Sequence, residues 1–352
     1  MTRLAALLLS VTLLLVACAP RYAAFDPERR PDPARDARAH DLPVEWWYYT
    51  GHLETESGRR LGVQLVFFQA FIPSSLDLLG FIPAGWFVQE PLYFAHAAVT
   101  DEDAGTFVYA EQSTFPAGPP AGAYRDRYRV FLGAWSAEQQ GDTHLLSVST
   151  PEFAFELRAK PSRPPVIHGP GYSGTPETGR SYYYSFTRLA TTGAIALDGR
   201  VERVTGRLWH DHQWGEIGQV KPDWDWWGLV LDDGADLMLY EVRLGGRRAG
   251  LGGTLVLPDG RVIDLQPGDF QITATGSWTS PHTGITYPMG WRIALPAYEY
   301  DLLVHPRVLD QELRTPGSTR VTYWEGSVEV LGSGPGGAVA GEGYVELIGA
   351  AP

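Results

Sequence analysis

The chain has 352 residues, a net charge of −13 and only 28 Lys and Arg, with no basic stripe along it. That balance excludes a nucleic-acid partner, whose phosphates must be met by clustered cations. One cysteine excludes an internal disulfide, and more than 300 residues beyond the N-terminal region exceed what one hydrophobic core serves, so two domains held by packing are expected.

In chain order, Arg3 precedes an apolar run from Leu4 to Val16 that is too short to span a bilayer comfortably. Leu15-Val16-Ala17-Cys18 looks like a bacterial lipobox, so residues 1–17 read as a lipoprotein signal peptide and Cys18 as the lipidated residue. Several acyl chains on one residue give stable anchoring, and the expected location is extracytoplasmic, in the cell envelope and membrane-anchored. Residues 18–39, rich in Pro, Asp, Arg and Ala with few apolar residues besides Tyr22 and Phe25, are predicted to be a flexible tether.

The body opens on Glu45-Trp46-Trp47-Tyr48-Tyr49-Thr50-Gly51-His52-Leu53, a turn at Gly58 and a second apolar run ending at Gln69. Ile72 to Tyr93, broken by Pro73, Pro83 and Pro91, reads as a loop over a barrel mouth. Beyond it come short alternating runs such as Ser327 to Leu331 and Tyr344 to Ile348, with 40 Gly and 27 Pro in the chain and no sustained helical period. Trp209-His210-Asp211-His212-Gln213-Trp214-Gly215 then precedes a second aromatic block, Trp224 to Leu231. Trp47 stands four residues before Gly51 and Trp224 four before Gly228, each block being followed by a turn ending in Gly58 or Gly234. This collinearity predicts a tandem repeat of two antiparallel barrels, residues 40–219 and 220–352, joined near Gly218 to Pro222.

Several of these blocks together carry a resemblance: Glu45 to Tyr48, Ala95-His96 with Asp101, His168 to Ser173, Ser181 to Ser185, Trp209 to Gly215, Tyr323 to Gly326 and Gly343 to Leu347. They resemble the AttH/CrtC-like family of secreted hydrolases and carotenoid 1,2-hydratases. The resemblance covers nearly all of the chain beyond the tether. It implies two tandem lipocalin-like antiparallel β-barrels, and relatives that hydrate or cyclise apolar terpenoid or polyketide-like compounds. It also implies a His-x-Trp pair, matched by His212 and Trp214, and a Tyr-x-Asp pair. Of the latter Tyr240 is matched, but Val242 stands where the carboxylate belongs, and Glu241 alternates away from Tyr240.

Buried tryptophan needs a partner for its N–H, and carboxylates and imidazoles beside it cost more to bury, so their crowding here suggests a lined cavity. Hydration of an alkene needs a proton delivered to carbon, and a carboxylic acid in an apolar pocket supplies it while aromatic faces stabilise the cation. Glu45 and Asp211 are candidate acids, and His212 and Tyr240 enter through the resemblance. Trp46, Trp47, Tyr48, His96, Trp209, His210, Gln213, Trp214, Trp226 and Trp227 are the candidate ligand-binding residues. On a strand, His210, His212 and Trp214 share one face and Trp209, Asp211 and Gln213 the other. The competing structural roles are a carboxylate bonded to a barrel-closing Arg for Glu45, and a polar plug tying the halves together for Asp211 and His212. A zinc site of His210 and His212 with His96 or His52 has nothing to fix its third ligand, and no cofactor or metal is expected. Gly171-Tyr172-Ser173-Gly174 is out of step with a nucleophile elbow. The expected function is binding, and acid-initiated hydration or isomerisation, of an isoprenoid or lipid-like ligand in a barrel cavity. A non-catalytic lipid carrier and a hydrolase of envelope esters or glycans are the alternatives, and the oligomeric state stays open.

Overall fold

The structure is a computed structural model, and it describes residues 22–71, 77–78, 82–83, 91–115 and 117–349. The first half contains β1 (Val44–Thr55), β2 (Arg60–Ala70), β3 (Asp77–Leu78), β4 (Ile82–Pro83), β5 (Leu92–Asp101), β6 (Thr106–Ser113) and β7 (Ala121–Ala123). It continues through β8 (Arg129–Leu132), β9 (Trp135–Gln140), β10 (Thr143–Ser149), β11 (Phe153–Pro161), β12 (Val166–Thr175), β13 (Gly179–Leu197) and β14 (Arg200–Gly215). The second half contains β15 (Asp223–Leu231), β16 (Asp236–Leu244), β17 (Arg247–Val256), β18 (Val262–Leu265) and β19 (Gln271–Thr279). After these come β20 (Thr286–Leu295), β21 (Tyr300–Pro306), β22 (Glu312–Arg314), β23 (Thr322–Gly334) and β24 (Gly337–Ile348).

The fold is all-β: two strongly curled antiparallel half-barrel sheets, in keeping with tandem lipocalin-like domains. The first sheet runs β6-β5-β2-β1-β14-β13-β11-β10-β9-β8-β7, with β12 also on β13. The second runs β18-β17-β16-β15-β24-β23-β21-β20-β19, with β22 also on β23. The run from β6 to β9 in the first sheet matches the second sheet strand for strand, with β12 on β13 answering β22 on β23, while β8 and β7 extend the first sheet alone. In each, the opening strand pairs with the closing one, β1 with β14 and β15 with β24.

Where one face meets solvent, sequence and burial alternate: in β11 Phe153, Phe155, Leu157 and Ala159 are buried, while Glu156, Arg158 and Lys160 are exposed. The aromatic blocks do not alternate, because β1 and β15 are covered on both sides. One face of β1 puts Trp47, Tyr49 and Leu53 into the first core. One face of β15 puts Trp227, Leu229 and Leu231 into the second. Their other faces meet each other in a seam of Tyr48, Val66, Tyr183 and Trp209 against Trp226, Val230, Met238 and Tyr344. A strand buried on both faces reads as an unbroken apolar run. Close approach is part of the design, since a Cβ on Gly51 would lie 2.2 Å from the Arg207 carbonyl oxygen.

Two expectations change. The repeat spacing pairs Trp47 with Trp224, but Trp224 faces the seam and Trp227 is the fully buried core residue of β15. The alternation of side chains, rather than the distance to the next glycine, decides the face. Residues 22–39 are not free chain either. Phe25 stacks on Tyr182 at 4.4 Å, Asp26 N–H donates to the Tyr182 hydroxyl at 3.0 Å, and Arg29 bonds the buried Asp36 at 2.6 Å. Charged residues made this strap look solvated, whereas they are paired against the barrel. Cys18 and most of the loop from Ile72 to Tyr93 lie outside the described residues.

Candidate functional site

The pairing of β1 with β14 divides the candidate residues between two places. Glu45, Trp47, His210, His212 and Trp214 point into the first barrel, and Trp227 into the second. Trp46, Tyr48, His96, Trp209, Asp211, Gln213, Trp226 and Tyr240 lie on the opposite faces, at or beside the seam.

Inside the first barrel, Glu45 Oε1 takes His212 Nε2 at 2.7 Å and His40 Nδ1 at 2.8 Å, while Oε2 accepts the His40 backbone N–H at 2.8 Å. His212 Nδ1 meets the Tyr184 hydroxyl at 3.0 Å, and His40 stacks on Trp214 at 4.1 Å. Burial raises the Glu45 carboxyl, but His40 and His212 more than offset it and hold it below the usual carboxylate range. His40 is raised and His212 lowered, so the charge rests on His40. Glu45 is therefore held toward its ionised form, and its partners are two histidines rather than an arginine. The ligand-type atoms of His40, Glu45 and His212 lie within 4.8 Å of one another, a donor set suited to a divalent metal, although here they bond to each other. The three-His alternative is not assembled: His96 bonds Tyr323 at 2.7 Å, and His52 bonds Glu102 at 2.9 Å, both on the seam side. His210 stacks on Tyr49 at 4.1 Å, and its Nδ1 meets the Tyr48 carbonyl oxygen at 3.0 Å.

In the seam, Asp211 Oδ1 accepts from Ser185 and from Trp209 Nε1 at 2.5 Å, and Oδ2 accepts from the Tyr183 hydroxyl at 2.7 Å. Trp226 Nε1 donates to the same hydroxyl at 3.1 Å. Burial pushes Asp211 up to about 6 against the pull of these donors. Beside Tyr183 a cleft of about 220 Å³ opens between the halves, lined by His168, Tyr172, Tyr183, Met238, Tyr240 and Asp264 among others. The His168 ring lies tilted against Tyr183 at 4.1 Å and bridges Ser185 and Thr254, and burial lowers His168 to about 3, keeping it neutral. Tyr240 packs over Gly252, where a Cβ would lie 2.6 Å from its hydroxyl. The carboxylate missing from position 242 is met across the cleft by Asp264, whose charge helps raise Tyr240 after burial has done so.

The two barrel interiors are filled by large side chains, Trp47, Trp135 and Phe153 in one and Trp227, Trp291 and Trp324 in the other. The cleft of about 220 Å³ lies between the barrels. Sequence reasoning missed His168, Tyr183 and Asp264 as lining residues, and two glutamates in the seam, Glu325 and Glu346. Each of the glutamates stands in a segment already notable as a motif, but only the fold reveals that both face the other barrel.

A family model described as AttH-like matches residues 24–350. The crystal structure of an AttH protein from Nitrosomonas europaea is 28% identical, with a TM-score of 0.80, covering 94% of this chain and 100% of that one. Kievitone hydratase from Nectria haematococca is 14% identical, with a TM-score of 0.72 over 93% of this chain and 95% of its own. CghA, solved with Sch210972, is 14% identical at a TM-score of 0.53, covering 94% and 97%. No curated protein matches the sequence.

Proposed function

We propose that this protein, which belongs to the AttH-like family, binds an apolar small molecule in the cleft between its two barrels and performs acid–base chemistry on it. The reaction class is hydration or isomerisation of an alkene, the class that the likeness to kievitone hydratase suggests. One observation carries the reading: a buried carboxyl, Asp211, stands behind the Tyr183 hydroxyl in the wall of the cleft, with the Tyr240 ring also lining it. At neutral pH Asp211 is largely ionised, so through Tyr183 it can take a proton from an attacking water, while the rings of Tyr183 and Tyr240 face a developing cation. The cleft lining sets the rings of Tyr172, Tyr183 and Tyr240 and the side chain of Met238 beside polar groups of His168, Ser173, Thr254, Asp264 and Gln266.

The test has two parts. Mass spectrometry of the organic extract from protein purified from its own host should show an isoprenoid or polyketide-like compound retained by wild type and lost from a variant with the cleft filled. Incubation with kievitone and with an acyclic carotenoid in ¹⁸O-water should label a hydrated product. Asp211→Asn should keep the ligand and lose about 100-fold or more of the turnover. A retained ligand with no labelled product from any probe would make the protein a carrier. Extracts free of any such compound would remove the cleft from consideration. The envelope location through lipid on Cys18 is part of the same reading, since an apolar ligand is most accessible from a membrane surface.

A further inference from the structure

Glu325 and Glu346 stand directly opposite each other on β23 and β24, both facing the first barrel. Glu325 is 2% exposed and Glu346 half-buried, and among the described residues neither is ion-paired with any Lys, Arg or His. What surrounds them is acidic or neutral: Asp211 from β14, Asp225 from β15, and the phenols of Tyr48, Tyr323 and Tyr344. His96, behind Tyr323, is kept neutral by burial. Among the described residues, Gln64 Nε2 donates to Glu325 at 3.0 Å, Trp224 Nε1 donates to Glu346 at 3.1 Å, and the Tyr48 hydroxyl lies beside Glu325. Meanwhile Tyr48 Oη, Gln64 Oε1 and Glu325 Oε1 are all buried without a hydrogen-bond partner. Two adjacent carboxylates cannot both ionise without a counter-charge.

We propose that Glu325 and Glu346 hold one proton between them and that Glu346 is the group that delivers it to a ligand lying in the seam. This rests on the hydration reading above. A proton on Glu325 supplies a donor toward Gln64 Oε1, and Glu346 is the less buried of the two. Burial first, then its neighbour, pushes Glu325 well above the carboxylate range, and burial raises Glu346 to about 7. With Asp211 nearer 6, acid and base are already separated by environment on the two walls of one seam. In the step, the π pair of the alkene takes the Glu346 proton to form a C–H bond and leaves a cation at the other carbon. Water adds there through oxygen, and its surplus proton passes by Tyr183 to Asp211. The net change is one water added, with one proton moved from Glu346 to Asp211 and returned through solvent.

The Trp224 indole reports on the pair, because it donates to Glu346. In the full-length protein, tryptophan fluorescence against pH should show a transition near 7 that Glu346→Gln abolishes, with Trp224→Phe as the reporter control. Infrared spectroscopy at about pH 8 should show the carbonyl stretch of a protonated carboxyl, lost in Glu325→Gln, and that variant should move the fluorescence midpoint down by about one unit. A midpoint at the ordinary carboxylate value, or no protonated carboxyl band, overturns the shared proton whether or not any substrate is known. With kievitone as probe in D₂O, wild type should place deuterium on carbon. Glu346→Gln should lose at least about 100-fold in kcat with little change in KM, and Glu346→Asp should recover part of it. Undiminished turnover in Glu346→Gln removes the acid role. Absence of turnover in wild type counts against the hydration reading and the acid role that rests on it, while the titration still decides the shared proton.

Discussion

At the residue scale, the same carboxyl chemistry serves opposite ends depending on what stands beside it. Glu45 is wholly buried but has two imidazoles on one oxygen and stays charged, whereas Glu346 is less buried but has acids for neighbours and stays protonated to about pH 7. The two therefore link pH to stability with opposite signs. Glu346 is raised above its unfolded value, so its contribution is fully present below about 4.5 and is lost as pH climbs through about 7. A melt of wild type should fall by a few degrees between those limits, and Glu346→Gln, which mimics the protonated form, should flatten that fall. Glu45 is depressed, so its contribution is lost as pH falls through and below the ordinary carboxylate value. Glu45→Gln at neutral pH should destabilise by about 3–5 kcal/mol, the usual cost of leaving one partner of a buried ion pair behind, read as a drop in urea midpoint. His212→Ala should behave likewise, since it removes the same bond and the Tyr184 contact. A gain in stability from either would show that the cluster is a strained site rather than an anchor.

At the scale of elements, the strap and the cleft wall can each be tested alone. The strap binds through Phe25, Asp26, Arg29, Asp36 and His40, so Glu45→Gln should also expose residues 22–39 to limited proteolysis while the sheets resist it. Gly252→Ala drives a methyl into the Tyr240 hydroxyl and pushes that ring toward the cleft. One methyl in an apolar pocket is worth about 1–3 kcal/mol, so retained ligand should fall tenfold or more with the melting temperature nearly unchanged. Much of this was legible in the sequence: β1, β14 and β15 announce themselves by aromatic density, and the face shared by Asp211, Trp209 and Gln213 follows from a two-residue period. The rest was not, for a physical reason. A strand buried on both sides loses the alternation that tells core from seam, so Trp224 and Trp227 look alike until a second sheet is placed against them. His40 gave no signal because it lies among charged residues, and its role depends on Glu45 and His212, which are distant or differently paired in the chain. Cys18, by contrast, is a local motif, and Cys18→Ser should move the protein from the detergent phase to the aqueous phase; unchanged partition would dismiss the anchor.

At the scale of the molecule, the seam carries Trp209, Trp226, Tyr48, Tyr183 and Tyr344, so severing the chain between β14 and β15 would bare an aromatic surface on each half. Each half should keep its β circular dichroism, bind a hydrophobic dye and aggregate, and mixing the halves should restore solubility. Two freely soluble monomeric halves would mean that the cores alone account for the fold. Because the sheets repeat one strand order and meet through corresponding strands, each half offers its partner the same face, which is the arrangement of a two-fold homodimer joined into one chain. In such a dimer every chemical group at the junction would occur twice, related by the axis. Here the copies have diverged: one side supplies Asp211 and the other Glu325 with Glu346, so the junction has a polarity that no symmetric pair could have. In the reading proposed above, a ligand entering it would meet a defined front and back, and one of its two orientations would present the alkene to the acid and leave the base side to water. A circularly permuted chain that begins at β15 and ends with β14 should rebuild the same junction and give the same single product enantiomer.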